Sequence, residues 1–212
     1  IMTTSTSKQT TIAKEVSLTG VGLHTGAEVT LTFKPAPANH GYKFVRVDLD
    51  DQPIVEADAN YVVDTQRGTN LDKNGVKIQT SEHVLAALVG MEVDNCILEL
   101  NSSEPPIMDG SSKFFVEAIE KAGIVILEEF REEYVVTEVI TYKDEESGSE
   151  IILMPSDEYK VTTMVDFGTK ILGTQNASLE RLSDFKTEIS DSRTFSFLHE
   201  IEMFLKKVKS PL

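Results

Sequence analysis

Apolar and polar side chains alternate along the first part of the chain. Residues 11–18 and 29–33 carry Thr and Val with a period of two and predict strands, with Gly20, Gly22 and Gly26 punctuating the link. Residues 34–41 form a loop by their Pro and Asn content, and residues 42–47 resume a strand. Short strands are predicted at 61–63, 68–71 and 76–79, with Lys73-Asn74-Gly75 carrying the Asn-Gly hairpin signal. The period changes at 81–90: Val84, Leu85 and Leu88 share a helical face, Thr80 or Ser81 can cap its start, and Gly90 can end it. A strand at 95–100 follows, then a helix from Ser111 or Ser112 to Ala122 stopped by Gly123, and a strand at 124–127. Residues 2–9 are polar and Ser/Thr-rich and are expected to fray.

Glu128-Glu129-Phe130-Arg131-Glu132-Glu133 reads as a charged break, and the domain boundary is placed there. Beyond it, strands at 134–142 and 149–154 flank a hairpin at 143–148, with a third strand at 159–167. Helices are predicted at 179–189 and 198–208. Both halves run from antiparallel strands into helices, an α+β signature. This gives a first α+β domain at 8–128 and a second, incomplete one at 133–212. The terminal Lys209-Ser210-Pro211-Leu212 follows directly on a helical pattern and reads as an interruption.

With 212 residues, 40% of them hydrophobic, the chain can bury a core. Thirty-five acidic against twenty basic residues give a net charge of -15, which argues against a nucleic-acid partner. One cysteine, Cys96, excludes an internal disulfide and fits a cytoplasmic setting. The apolar runs near 84–91 and 124–127 are too short to span a bilayer.

Glu82-His83 is the pair best suited to chemistry. In the first turn of a helix, backbone N–H groups and the macrodipole favour a carboxylate and disfavour imidazolium. Glu82 can then take a proton from water, and a neutral His83 can bind a metal. An ordinary first-turn Glu beside a surface His explains the dipeptide equally simply. No His-x-x-x-His or Cys-x-x-Cys spacing accompanies it, so further ligands must come from distant positions or from outside the chain. His24, in Gly20-Val21-Gly22-Leu23-His24-Thr25-Gly26, is either an exposed hairpin residue or part of a site; the spacing is not a dinucleotide fingerprint. His40, in the Pro-rich loop, and His199, on a helix, are expected to face solvent. Asp109, in Pro105-Pro106-Ile107-Met108-Asp109-Gly110-Ser111-Ser112, can cap the next helix with the serines, or the same turn can offer N–H groups to a ligand. Arg193-Thr194-Phe195-Ser196-Phe197 suits a core edge, or a hydroxyl beside rings that line a pocket.

Five segments in order, Gly20–Gly26 with its His, Asp64-Thr65-Gln66-Arg67-Gly68-Thr69, Ser81-Glu82-His83-Val84-Leu85-Ala86-Ala87-Leu88, Pro106-Ile107-Met108-Asp109-Gly110-Ser111 and Arg193-Thr194-Phe195, give the chain a resemblance to the UDP-3-O-acyl-N-acetylglucosamine deacetylases, zinc amidases of lipid A biosynthesis. The resemblance runs from about residue 9 to 205 and is similar to the form fused to a 3-hydroxyacyl-ACP dehydratase. It implies two α+β domains with the site between them, a Zn2+ cofactor and a small UDP-acyl-sugar substrate. It also implies His83 as first zinc ligand, Glu82 as general base and Thr194 as oxyanion donor. Phe195 and Phe197 match residues lining the acyl-sugar and nucleotide region, and Gln66, Arg67 and Gly68 match a strand end beside the substrate.

The family's other zinc ligands, a His and an Asp four residues apart, its later acidic His and its βαβ insert all fall beyond residue 212 by this resemblance. Ser196 replaces a Gly often found between the two Phe residues. The 212-residue chain alone is therefore expected to be inactive. The rival functions are a non-catalytic nucleotide-sugar or acyl-chain binding module, and a structural remnant without a ligand.

Overall fold

The computed structural model describes residues 1–198. The predicted helix at 198–208 and His199 lie outside the described residues, apart from Leu198. The architecture is α+β, built from several small sheets and short helices.

The central sheet has five strands in the order β2 (Val16–Val21), β3 (Glu28–Pro35), β9 (Cys96–Leu100), β4 (Tyr42–Arg46) and β5 (Ile54–Glu56). Its pairs are antiparallel except β4–β9, which is parallel. The period-two pattern sends Val29, Leu31 and Phe33 of β3 and Cys96, Leu98 and Leu100 of β9 to one buried face. The helices α1 (Glu82–Gly90) and α2 (Lys113–Ala122) contribute Val84, Ala87, Leu88, Phe115 and Ile119 to the same core. Each such Leu or Phe stabilises the fold by about 1.5–3 kcal/mol. A three-stranded sheet of β6 (Val62–Asp64), β7 (Asn70–Lys73) and β8 (Val76–Ile78) precedes α1. Its hairpin turns on Asn74 (φ 55) and Gly75 (φ 84), the doubly left-handed geometry that Asn-Gly favours.

Two expectations are corrected together. Residues 2–9 do not fray, and the charged run 128–133 does not break the regular structure. The first lies in β1 (Met2–Ile12) and the second in β10 (Ile124–Tyr134), and these strands pair antiparallel. Each polar run is the other's partner: Thr4 Oγ1 donates to Glu132 Oε1 at 2.9 Å, and Lys8 pairs with Glu128 at 2.8 Å. Cross-strand polar pairs of this kind support the exposed outer part of the ribbon, while residues 9–12 of β1 are buried and Ile12 joins the core. The predicted strand at 11–18 is accordingly two, broken where Ala13 N–H bonds to Gly123 O.

In the second half, β11 (Ile140–Lys143) pairs with β12 (Glu150–Leu153), and β13 (Val161–Asp166) pairs with β14 (Thr174–Leu179). The predicted strand at 134–142 is shortened to its end. The helix predicted at 179–189 is also corrected. Leu179 ends β14, Leu182–Asp184 is a single 3-10 turn, and α3 spans only Phe185–Glu188. Ser190 stops α3 by donating its hydroxyl to Lys186 O at 2.6 Å. Gly90 does not end α1 by a left-handed turn. It is the last helical residue, and its missing side chain admits the Phe185 ring, so that this ring and Leu179 join the core.

Candidate functional site

Glu82 and His83 open α1, with side chains 36% and 17% exposed. Glu82 Oε2 accepts the Thr69 N–H at 2.8 Å, and Oε1 stands 3.8 Å from His83 Nε2. Neither expected cap residue donates to or accepts from the α1 amides by its side chain. Ser81 instead donates to Thr69 O at 2.8 Å, and Thr80 donates to Glu104 Oε1 at 2.8 Å. Glu82 is thus fixed from across the β6–β7 bend.

That bend carries Gln66, Arg67 and Gly68; the first two are exposed and Gly68 is half-buried. Gly68 has φ 152, and a methyl there would stand 3.3 Å from Glu82 Oε1 and from Thr80 Cα. His24 is half-buried in the β2–β3 loop, with Nε2 3.4 Å from Arg67 O, so it joins this group rather than projecting alone.

Asp109 and Thr194 are linked to α1 through the turn that precedes α2. Ser112 donates to His83 O at 2.9 Å, which ties the turn before α2 to α1. Asp109 Oδ1 accepts the Ser111 N–H at 3.1 Å and its O–H at 2.6 Å. The Ser111 hydroxyl in turn accepts the Lys113 N–H at 3.2 Å, so capping of α2 falls to Ser111. These Ser111 bonds, aided by the positive charge of Arg193, hold the Asp109 carboxyl below the usual carboxylate range. Arg193 lies 3.8 Å from Asp109, and Thr194 N–H donates to Gly110 O at 2.8 Å.

Phe195 is not a core residue: it is 60% exposed. Its ring packs edge-on against Phe167 at 4.9 Å and Phe197 at 5.8 Å. Phe167, which sequence reasoning passed over, completes the aromatic cluster. Glu104 was passed over too. It is fully buried and accepts the backbone N–H groups of His24 and Thr25 as well as the Thr80 hydroxyl. The only sequence signal was an acidic residue immediately before Pro105-Pro106.

A family model for UDP-3-O-acyl N-acetylglycosamine deacetylase, LpxC, matches residues 9–209. The chain belongs to the LpxC family. It is 44% identical over 198 residues to the bifunctional enzyme LpxC/FabZ of Bacteroides thetaiotaomicron, covering 93% of this chain and 43% of that protein. It is 47% identical to the bifunctional enzyme LpxC/FabZ of Chlorobaculum tepidum, covering 92% and 42%. It is 41% identical to the UDP-3-O-acyl-N-acetylglucosamine deacetylase of Myxococcus xanthus, covering 95% and 64%. The LpxC-family chain therefore spans less than half the length of the two bifunctional relatives.

Among the described residues of this LpxC-family chain no group of three or more His, Cys, Asp or Glu side chains is placed to hold a metal ion. An imidazole beside a carboxylate suits one zinc ligand position, and the described donors supply no closed shell. No helix among them is long and apolar enough to cross a membrane.

Proposed function

We propose that this chain forms the first part of a zinc-dependent, cytoplasmic deacetylase of lipid A biosynthesis that hydrolyses the acetamide of a UDP-3-O-acyl-N-acetylglucosamine. The observation that carries the reading is the Glu82 carboxylate, anchored by Thr69 and turned toward His83 at the start of α1, in a chain of the LpxC family. The reading keeps two α+β units, residues 8–128 and 133–212, with their junction in the exposed β1–β10 ribbon.

His83 is the zinc ligand supplied here, and the other ligands lie outside the described residues. When bound, zinc acidifies a coordinated water and polarises a carbonyl. Glu82 Oε1 takes the proton of the attacking water while Oε2 stays on the Thr69 amide, so the base keeps its aim during transfer. As the water oxygen bonds to the acetamide carbon, Thr194, tethered through Gly110, donates its hydroxyl to the developing oxyanion. Cleavage of the C–N bond then releases acetate and the sugar amine, whose proton comes from an acid outside the described residues. Phe195 and Phe197 offer the substrate an aromatic wall, and Gln66, Arg67 and Gly68 border it from the β6–β7 bend.

Acetate release from UDP-3-O-acyl-N-acetylglucosamine tests the proposal. The complete polypeptide carrying this sequence turns over with zinc bound, and the 212-residue chain alone does not. Full activity of the 212-residue chain would show that donors outside it are dispensable and defeat the mechanism.

A further inference from the structure

Glu104 belongs to no element of the reaction just described, yet among the described residues it is the only acidic side chain in the buried polar set. Burying a carboxyl is costly unless its acceptor sites are used, and here they are. Oε2 accepts the His24 and Thr25 N–H groups at 3.0 Å each, and Oε1 accepts the Thr80 hydroxyl at 2.8 Å. Room for the carboxylate exists because residue 22 is glycine. A methyl there would overlap Thr25 Oγ1 and stand 2.7 Å from Glu104 Oε2.

Thr80 is a second, independent sign. It has φ 50, a left-handed conformation that a β-branched residue adopts only under constraint. Two hydrogen bonds hold it there: its N–H donates to Asn70 Oδ1 at 3.0 Å and its hydroxyl to Glu104. Thr80 is the step by which the chain leaves β8 for α1, two residues before Glu82 and three before His83.

Building on the deacetylase reading, we infer that Glu104 is a positioning residue. Its carboxylate couples the His24–Thr25 turn to the strained Thr80, so that the contact of His24 with the Arg67 carbonyl and the pair Glu82–His83 are held in one fixed relation. Losing it leaves each side folded but free to drift, and a misplacement of 1 Å at reacting groups costs up to ~10²-fold in rate.

Three variants of the complete polypeptide test this: Glu104→Ala, Glu104→Gln and Thr80→Val. Each is assayed for kcat and KM on the UDP-acyl-sugar, for hydrogen exchange at the His24 and Thr25 amides, and for Tm. Glu104→Ala is expected to lose at least ~10-fold in kcat with His24 and Thr25 amides exchanging roughly 10- to 100-fold faster. Glu104→Gln recovers part of both, because its carbonyl can serve the two amides while its NH2 donates to a rotated Thr80 hydroxyl. Thr80→Val keeps the β-branched shape, loses the hydroxyl tie and lowers kcat without exposing the two amides. If Glu104→Ala fails to fold, the Gln and Val variants decide. Wild-type kcat in folded variants, or unchanged exchange at both amides in Glu104→Ala, overturns the inference. A wild-type protein that releases no acetate defeats the deacetylase reading instead, and the exchange measurement still decides whether the tie exists.

Discussion

Glu82 and Thr69 are joined by a 2.8 Å hydrogen bond from the Thr69 amide to Oε2, which leaves Oε1 as the oxygen nearer the His83 ring. One oxygen fixes direction and the other can do chemistry. Glu82→Gln keeps the first role, since its carbonyl oxygen can accept the same amide, and removes the second. In the complete polypeptide kcat is expected to fall by ~10²–10⁴-fold, the usual worth of a positioned base, with KM and zinc content unchanged. Steady-state kinetics with metal analysis checks this, and a near-normal kcat would remove Glu82 from the role of base.

Gly90 and Phe185 make the contact that seats α3 on α1. A methyl at position 90 would overlap the Phe185 ring. Gly90→Ala is expected to cost about 1–3 kcal/mol by overpacking. Adding Phe185→Ala should relieve part of that, so the two changes combine non-additively in urea unfolding. Simple additivity would mean that α3 does not rest there.

Asp109 links stability to pH. Its carboxyl is lowered first by the Ser111 hydroxyl, against desolvation, and further by Arg193. A carboxyl depressed in the folded state stabilises fully above the unfolded value of about 3.9, and that contribution is lost as pH falls through the lower folded value. Asp109→Asn should therefore lower the urea midpoint at pH 7, with the gap from wild type closing below about pH 4. A gap that stays constant down to pH 2.5 would place the effect elsewhere.

Cys96 faces the core between β3 and β4, and burial pushes its thiol up to about 12. The folded protein at pH 8 should leave Cys96 unmodified by a thiol reagent, and denaturant should expose one reactive thiol. Rapid labelling under native conditions would contradict the burial.

Local signals in this chain were legible and distant ones were not. The Asn74-Gly75 turn, the stripe of α1 and the Gly123 stop (φ 74) each depend on a few neighbouring residues. The ribbon of β1 and β10 depends on two polar runs about 120 residues apart, each of which alone reads as solvated chain. Leu182, Phe185 and Ile189 have helical spacing, yet that pattern is met by a broken turn packed on α1, while 174–179 answers to β13. At the site, Glu82-His83 was visible as a reactive dipeptide. The Thr69 anchor, the left-handed Thr80 and the buried Glu104 were hidden, because each is defined by a partner from another segment. Phe195 shows the same limit: its period suggested a core edge, yet it is exposed and packs on Phe167 from another segment.

The most direct test is an experimental structure of the complete polypeptide with zinc bound. A His83 ring nitrogen is expected about 2.0–2.1 Å from the ion, with Glu82 Oε1 within hydrogen-bond reach of the ion's water. A His83 ring directed away from a fully occupied zinc would contradict it.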